Sequence, residues 1–265
     1  MRSQRDIWIL NYFDNVIPDV TPISDDKVNL DFVVEEKKST QRINANLGFT
    51  GEYGITGGAG VEFDNFRGKG QKLNIGASTG TNFSVYTTQE PSKYRSLNIS
   101  FQDPMINDSP YLVGASIFYS FRGSSTNYYF PLDFTVGGAV ASFGRRLEWP
   151  DDFFRVMWST KFMQKEYEGS QSDIDNYIGG LQKTRGISLS QVLSRDSRNR
   201  AEFPTRGSTF ILENTYSGGF LGGNENFQKH MLTLDWFTPT FSKFVLYNSV
   251  KPVSYTHLRA HETHN

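Results

Sequence analysis

Residues 111–121 read Tyr111-Leu-Val-Gly-Ala-Ser-Ile-Phe-Tyr-Ser-Phe121, and every second residue from Tyr111 onward is apolar or aromatic. A period of two predicts a β-strand that presents one apolar face. The same alternation recurs in residues 43–49, 59–63, 73–77, 97–101, 134–140, 154–162, 187–193, 210–216 and 232–236, with a last segment near Phe244. The sequence therefore predicts an all-β chain of about ten or eleven strands, several near the roughly ten residues that a tilted strand needs to cross a membrane.

The composition fits one large β-rich unit with a small attachment. The 265 residues include 15% aromatic residues and 24 glycines. A net charge of −1, from 27 basic and 28 acidic residues, gives no overall field that would recruit nucleic acid. The chain has no cysteine, which excludes a disulfide framework and a thiolate metal site. No apolar run approaches the roughly 18 to 20 residues of a membrane-spanning helix, so a chain that spans a membrane would do so as strands.

The connections between the predicted strands differ in length. Residues 65–70 form a short, glycine-bearing connection, whereas residues 166–184 form a long and polar one. Outer-membrane barrels have this asymmetry between periplasmic turns and external loops, and aromatic residues near strand ends, such as Trp236 and Phe237 here, form their interfacial girdles. A soluble β-sandwich also has alternating strands, so the pattern alone leaves both architectures open.

The first 38 residues have a different pattern. Residues 3–10 are compatible with a helix that has Ile7 and Leu10 on one side, and residues 27–36 alternate strictly, as in a half-buried strand. Beyond Lys38 we find only alternating segments and turns. This change predicts a domain boundary, with a small unit at residues 1–38 and the β-rich unit at residues 39–252.

Several short motifs occur in a fixed order along the chain. They are Asn-Tyr-Phe-Asp-Asn-Val at 11–16, the strand end Val-Val-Glu-Glu at 33–36, Asn-Phe-Arg-Gly-Lys-Gly at 65–70, Phe-Gln-Asp-Pro at 101–104, Asp-Ser-Arg at 196–198 and Phe-Pro-Thr-Arg-Gly at 203–207. Each one alone is explained by a hairpin turn, because glycine supplies positive φ and proline starts strands or turns. Together, in this order and spacing, they resemble the BamA family of outer-membrane assembly factors. The turn residues that carry the resemblance are Asn65, Gly68, Gly70, Asp196, Arg198, Phe203, Pro204 and Gly207.

The resemblance implies a transmembrane antiparallel β-barrel of sixteen strands, of which about ten or eleven are present, preceded by the C-terminal part of an α+β POTRA domain. It implies an insertase, not an enzyme, that assembles β-barrel proteins in the bacterial outer membrane, with its N-terminal part in the periplasm. The expected partners are unfolded outer-membrane protein substrates, outer-membrane lipids, the lipoproteins of the assembly complex and periplasmic chaperones. Neither a cofactor nor nucleic acid is expected. A related POTRA-barrel transporter, TamA-like or a two-partner secretion pore, is the alternative.

The resemblance also implies that the first barrel strand is weakly held, so that a substrate strand can add to its edge. That strand contains Ile43, Asn44, Ala45, Asn46, Leu47, Gly48 and Phe49. Its asparagines and glycine fit a weakly held edge. They fit equally well a barrel strand that has one face in water.

The chain departs from the family pattern at its C-terminal side. The Val-Arg-Gly-Phe motif of the sixth external loop and the closing strand that ends in an aromatic residue are missing. Residues 253–265 look like a translated sequencing adapter, so we expect them to be a non-native tail. A barrel without its last strands has two unpaired edges, and we expect residues 1–252 alone to aggregate or to require detergent.

Three patterns that could suggest chemistry have simpler explanations. Residues 76–80, Gly-Ala-Ser-Thr-Gly, match the pattern of a nucleophilic serine but continue an alternating strand with no helix after it. Residues 173–176 lack the glycine and the distal glutamate of a calcium loop, since Thr184 stands in the glutamate's place. His230 lies within an alternating run and is expected to face the lumen or the interface. We therefore expect neither a catalytic nor a metal site.

Overall fold

The computed structural model describes residues 7, 12–24, 27–37, 41–50, 54–81, 93–124, 131–200 and 203–257. Two antiparallel sheets account for most of these residues. The smaller sheet pairs β1 (Phe13–Ser24) with β2 (Lys27–Glu36). Strand β2 was predicted from its alternation, whereas β1 was not. The helix predicted at residues 3–10 lies outside the described residues except for Ile7, which is helical.

Among the described residues the larger sheet has twelve strands. Each of the first eleven is hydrogen-bonded to a strand that directly precedes or follows it in sequence, and the twelfth pairs with the strand two before it. They are β3 (Gln41–Thr50), β4 (Gly54–Phe66), β5 (Gln71–Thr81), β6 (Lys93–Asp103), β7 (Tyr111–Arg122), β8 (Asp133–Arg146), β9 (Phe154–Glu168), β10 (Lys183–Asp196), β11 (Gly207–Ser217), β12 (Phe227–Pro239), β13 (Val245–Val250) and β14 (Val253–His257). Every segment that alternation predicted beyond residue 38 falls in one of these strands or directly before it. The prediction of a nearly all-β chain is confirmed.

Strands β13 and β14 act as one strand along β12. Leu234 pairs with Val250, and Met231 pairs with Val253 in the same register. Between them the Leu232 N–H donates to the Pro252 carbonyl at 3.1 Å. Residues 253–257 therefore extend the last strand of the sheet, and their expected foreign origin stays a prediction.

The strand register divides the large sheet into two chemically different faces. One row of directly opposed residues crosses eight strands and is entirely apolar: Ile43, Val61, Ile75, Ile99, Ile117, Ala139, Phe162 and Ile187. A second row, on the other face, has one aliphatic member in eight: Arg42, Glu62, Asn74, Ser100, Ser116, Val140, Lys161 and Ser188. We call the faces that contain these rows the apolar face and the polar face.

No second layer of structure among the described residues covers the apolar face. Among the described residues the buried hydrophobic side chains are Val16, Leu132, Val156 and Ile174, and of these only Val156 belongs to a strand of the large sheet. The accessible surface of the chain is 18446 Å², against about 12,000 Å² expected for a compact protein of 30.1 kDa. A β-sandwich would bury one face of each sheet. The single open sheet therefore disfavours the sandwich architecture.

The connections fall at two ends of the sheet because successive strands are antiparallel. Residues 67–70, 104–110, 147–153, 197–206 and 240–244 lie at one end, which we call the turn end. At the opposite end, the loop end, residues 169–182 include helix α1 (Gln171–Ile178), which the sequence analysis missed. Among the described residues, no helix has the length and apolarity needed to cross a membrane.

Helix α1 is defined by its caps rather than by a long periodic pattern. The Ser170 hydroxyl accepts a hydrogen bond from the Asp173 N–H at 3.2 Å, and Gly179, at φ +63°, closes the helix. Its Ile174 is fully buried, as is Leu132 at the end of the β7–β8 connection. Burial of Ile174 thus helps to hold this short helix against the rest of the chain.

Candidate functional site

The expected first strand of the barrel lies at an edge of the large sheet. Strand β3 contains all seven residues predicted for it, and within the described residues its one sheet neighbour is β4. Ile43, Leu47 and Phe49, on the apolar face, are 80%, 82% and 80% exposed. Because an edge strand leaves half of its backbone donors and acceptors unpaired, β3 offers a template for another strand.

Asparagine and glycine have a shared role at this edge. Asn44 and Asn46 lie on the polar face, directly opposite Gly60 and Gly58 of β4. A Cβ atom on Gly58 would come within 2.6 Å of the Asn46 Oδ1, so the amide occupies the space that any larger residue would fill. Glycine at position 58 therefore lets the Asn46 side chain lie across β4.

A buried carboxylate joins the start of β3 to the end of β4. Asp64 is only 6% exposed, and its Oδ2 lies 2.9 Å from the Arg42 Nη2. The same guanidinium nitrogen lies 3.0 Å from a Glu62 carboxylate oxygen. One arginine thus serves two carboxylates, and the pairing fixes β3 at its turn end while the rest of the strand stays exposed.

Tyr12 connects the small sheet to the large one. Its hydroxyl donates to the Gly70 carbonyl at 2.9 Å, and its own carbonyl accepts from the Lys37 N–H at 2.9 Å. Burial, and to a smaller degree the charge of Asp64, raise the pKa of the Tyr12 phenol. The phenol therefore stays protonated and can donate at neutral pH. The sequence analysis noted this residue within a motif but assigned it no role.

The turn at residues 65–70 is built as its residue types suggest. The Asn65 Oδ1 accepts from the Gly70 N–H at 2.7 Å, and the Asn65 carbonyl accepts from the Gly68 N–H at 3.2 Å. Arg67, Gly68 and Gly70 all have positive φ, at 60°, 69° and 68°. A Cβ atom on Gly70 would also come within 3.2 Å of the Tyr12 hydroxyl. Glycine at position 70 is thus needed for both the turn and the Tyr12 contact.

The second turn motif forms the connection between β10 and β11. Asp196 and Arg198 form a bidentate ion pair, with the Arg198 Nε 3.0 Å from the Asp196 Oδ1 and the Arg198 Nη2 2.8 Å from the Asp196 Oδ2. The hydrogen bond to Asp196 raises the pKa of Arg198. Gly207 has φ +108°, and a Cβ atom there would lie 2.5 Å from the Ser197 carbonyl oxygen. Phe203, at φ 52°, is 82% exposed, and Pro204 follows it. The motif residues thus shape the connection.

The structure brings some of the predicted residues together and keeps others apart. Both turn motifs lie at the turn end, but β4–β5 and β10–β11 are separated by four intervening strands. Ser78, from the serine pattern, lies within β5 with its Oγ 2.6 Å from that of Ser96. His230 lies on the apolar face, with Nδ1 2.8 Å from the Asn214 Oδ1. This position does not fit the lumen alternative, and the interfacial alternative stays a prediction. Asp173 lies in helix α1.

A single-layer antiparallel sheet with one apolar and one polar face is typical of β-barrel membrane proteins, whose lipid side and water side alternate along each strand. The comparison with known families agrees with that class. The Omp85 superfamily domain matches residues 65–260, and the chain belongs to this superfamily.

Two relatives are similar over nearly the whole chain. Outer membrane protein assembly factor BamA of Nitratidesulfovibrio vulgaris (strain Hildenborough) is 25% identical over 260 residues, which cover 94% of this chain and 29% of that protein. The crystal structure of BamA from Haemophilus ducreyi lacking POTRA domains 1–3 has a TM-score of 0.61 at 16% identity, and the match covers 97% of this chain and 49% of that one. The second match concerns the fold alone. The chain spans less than half the length of either relative.

Proposed function

We propose that this chain is part of an outer-membrane insertase that assembles β-barrel proteins by strand addition at β3. The observation that carries the proposal is the edge position of β3, with its apolar side chains about four-fifths exposed. Membership of the Omp85 superfamily and the similarity to a BamA assembly factor support it. The location would be the outer membrane, with the β1–β2 sheet on the periplasmic side as part of a POTRA domain.

The driving force in this proposal is physical and needs no cofactor or covalent step. A strand in hydrocarbon must pair its backbone groups, because each unpaired group costs several kcal/mol there. An unfolded substrate strand that adds to β3 gains those hydrogen bonds and places its own alternate side chains on the two faces of the sheet. The exposed Ile43, Leu47 and Phe49 would pack against the substrate's apolar side chains on the same face.

The partners follow from the same proposal. Unfolded outer-membrane proteins would be the substrates, and outer-membrane lipids would contact the apolar face. Lipoproteins of the assembly complex and periplasmic chaperones would approach from the periplasmic side. The turn end, where Tyr12 contacts the β4–β5 turn, would face that compartment.

Site-specific crosslinking tests strand addition at β3. The chain has no cysteine, so Ala45→Cys introduces a single thiol on the apolar face of β3. A matched control is Ala115→Cys, the same residue type on the same face of β7, which lies between β6 and β8. We would refold each variant in phospholipid vesicles with a urea-denatured barrel protein that carries one cysteine in its last strand.

The proposal predicts a disulfide-linked adduct at position 45 with at least about tenfold higher yield than at position 115, because only an edge strand can receive a new neighbour. Moving the substrate cysteine by one residue should abolish the adduct, since side chains alternate between faces. Equal yields at the two positions would contradict strand addition at β3.

A transporter is the alternative function, and one observation favours it. The polar face is lined largely by small neutral residues such as Ser78, Ser96, Asn98 and Ser120, which suit a water-filled passage. A transporter predicts a steady ionic current through a planar bilayer and no substrate adduct at position 45. The insertase predicts the adduct.

A further inference from the structure

Residues 218–226, which connect β11 to β12 at the loop end, fold back over the neighbouring strand β10. We call this segment the strap. The Asn224 N–H donates to the Arg185 carbonyl at 2.6 Å, and the Arg185 N–H donates to the Asn224 Oδ1 at 2.9 Å. Gly223 forms an isolated antiparallel bridge with Gly186. The strap thus continues the hydrogen bonding of β10 beyond the point where β11 ends.

Two glycines, one at the start of the strap and one within it, allow this path. Gly218 and Gly223 have φ of +71° and +101°. A Cβ atom on Gly223 would lie 2.6 Å from the Arg185 carbonyl oxygen, so no larger residue fits against β10 there. Glycine adopts positive φ at little cost, so these two positions let the segment take its path across β10.

An ion pair holds the strap on the polar face. The Glu225 carboxylate contacts the Lys165 ammonium of β9, and the two side chains are 25% and 27% exposed. The carboxylate lies over Gly186, whose added Cβ would be 3.2 Å from Glu225 Oε2. The absence of a side chain at position 186 therefore leaves the space in which the carboxylate reaches Lys165.

Beneath the strap lies a cavity of about 270 Å³ on the polar face. Lysines line it at two sides, Lys161 from β9 and Lys229 from β12, and four hydroxyl residues lie between them: Ser188, Ser190, Thr215 and Ser217. Within the described part of the chain, neither lysine forms an ion pair; Lys161 lies 5.4 Å from the centre of the Phe118 ring. Glu213 and Glu225 are the cavity's carboxylates.

The charges of this region change when the strap moves. With the strap in place, Lys161, Lys165 and Lys229 face Glu213 and Glu225, a sum of 3 − 2 = +1. With the strap lifted, Glu225 leaves and the sum becomes 3 − 1 = +2. Ammonium groups together with hydroxyl donors are the usual ligands of carboxylate and phosphate groups in proteins.

We propose that the strap is a movable cover whose Glu225 acts as an internal anionic ligand of a basic site, and that the site binds carboxylate or phosphate groups when the strap lifts. The site is formed by the three lysines and the hydroxyl residues between them. This goes beyond the insertase proposal, because neither the cover nor the site depends on strand addition at β3.

Thiol labelling tests both parts of the proposal on the full chain in detergent. Ser188→Cys places the only thiol of the chain on the cavity floor. We would measure its labelling rate with a negatively charged and a positively charged methanethiosulfonate, with and without Glu225→Gln. Ser142→Cys, which lines a separate cavity on the polar face, is the control for the general state of the fold.

Glu225→Gln should speed labelling of the thiol at position 188 by at least about fivefold, with a larger increase for the negative reagent, and should leave the thiol at position 142 unchanged. Inorganic pyrophosphate should then slow the reaction of the negative reagent at position 188. Lys165→Met should also free the strap and speed labelling at position 188. The increase should favour the negative reagent less than in Glu225→Gln, since Lys165→Met also removes a cation.

Two results would overturn the proposal. A labelling rate at position 188 that changes less than twofold in Glu225→Gln, while the rate at position 142 is unchanged, would show that the ion pair does not hold the strap. An equal increase for both reagents, without an effect of pyrophosphate, would show that the cavity is not an anion site. Neither result bears on crosslinking at β3.

Discussion

Arginine substitutions at two adjacent residues of β8 should differ in cost if the sheet spans a membrane. Ala139 belongs to the apolar row and Val140 to the polar row. The strand has 14 residues, so at about 3.3 Å per residue and a tilt of about 40° it would span about 35 Å, more than the roughly 25 Å apolar band of an outer-membrane barrel. Ala139 lies six residues after Asp133 and seven before Arg146, so it would lie near the middle of such a band.

The magnitude follows from this position. An arginine at the bilayer midplane on a lipid-facing site costs about 2 to 4 kcal/mol, so Ala139→Arg should lower the free energy of unfolding by about 3 kcal/mol, a factor of about 160 in the folding equilibrium. Val140→Arg should cost less than about 1 kcal/mol. Its side chain would enter a 310 Å³ cavity on the polar face, which Glu62 also lines.

Urea titration of the chain in phospholipid vesicles, followed by the fluorescence of its four tryptophans, would measure both variants. Ala139→Leu is the matched control, because it enlarges the side chain without adding charge. If Val140→Arg proved as costly as Ala139→Arg, the assignment of the two faces to lipid and water would be refuted.

Three further predictions concern the connections. Gly207→Ala should destabilise the chain by about 3 kcal/mol, because residue 207 has positive φ and its new Cβ would lie 2.5 Å from a backbone oxygen. Gly68→Ala also has positive φ but open space around it, so it should cost only about 1 kcal/mol. Urea titration would measure the free energy of unfolding of both variants. Ile174→Ala should remove the fully buried side chain of α1, lower the free energy of unfolding by about 2 to 5 kcal/mol and accelerate amide exchange in the helix. Tyr177 is half exposed, so Tyr177→Ala should accelerate that exchange less. The raised pKa of Tyr12 means that its contribution to stability is complete below the ordinary tyrosine pKa and is lost as the pH rises through the higher folded value. An absorbance titration should show that Tyr12→Phe removes a phenol that ionises above the ordinary tyrosine pKa.

Alternation predicted the strands of the large sheet because side chains in a sheet obey a strict period of two. Strand β1 escaped prediction, since Pro18 and Pro22 interrupt its pattern and a two-stranded sheet imposes little alternation of burial. Helix α1 escaped because eight residues give too few turns for a period, although Ser170, Asp173 and Gly179 carried capping signals that could have located it.

The candidate sites include local features that the sequence predicted and long-range contacts that it did not. The turn motifs could be predicted because asparagine, glycine and proline act on the backbone within a few residues. The contact of Tyr12 with Gly70 and the ion pair of Lys165 with Glu225 join residues 58 and 60 positions apart. Such contacts depend on the register of several strands, which local patterns do not specify.

Whether the apolar face contacts lipid and the polar face contacts water can be measured from the environment of successive side chains along β8. Single nitroxide labels at residues 137 to 142, on a chain without native cysteine, would be compared in vesicles for collision with oxygen, which concentrates in lipid, and with a water-soluble nickel complex. If the apolar face contacts lipid, access should alternate with a period of two, with oxygen access highest at Ala139 and Ala141 and nickel access highest at Val140 and Ser142. Uniform access along the segment, or the opposite phase, would contradict a sheet whose apolar face contacts lipid.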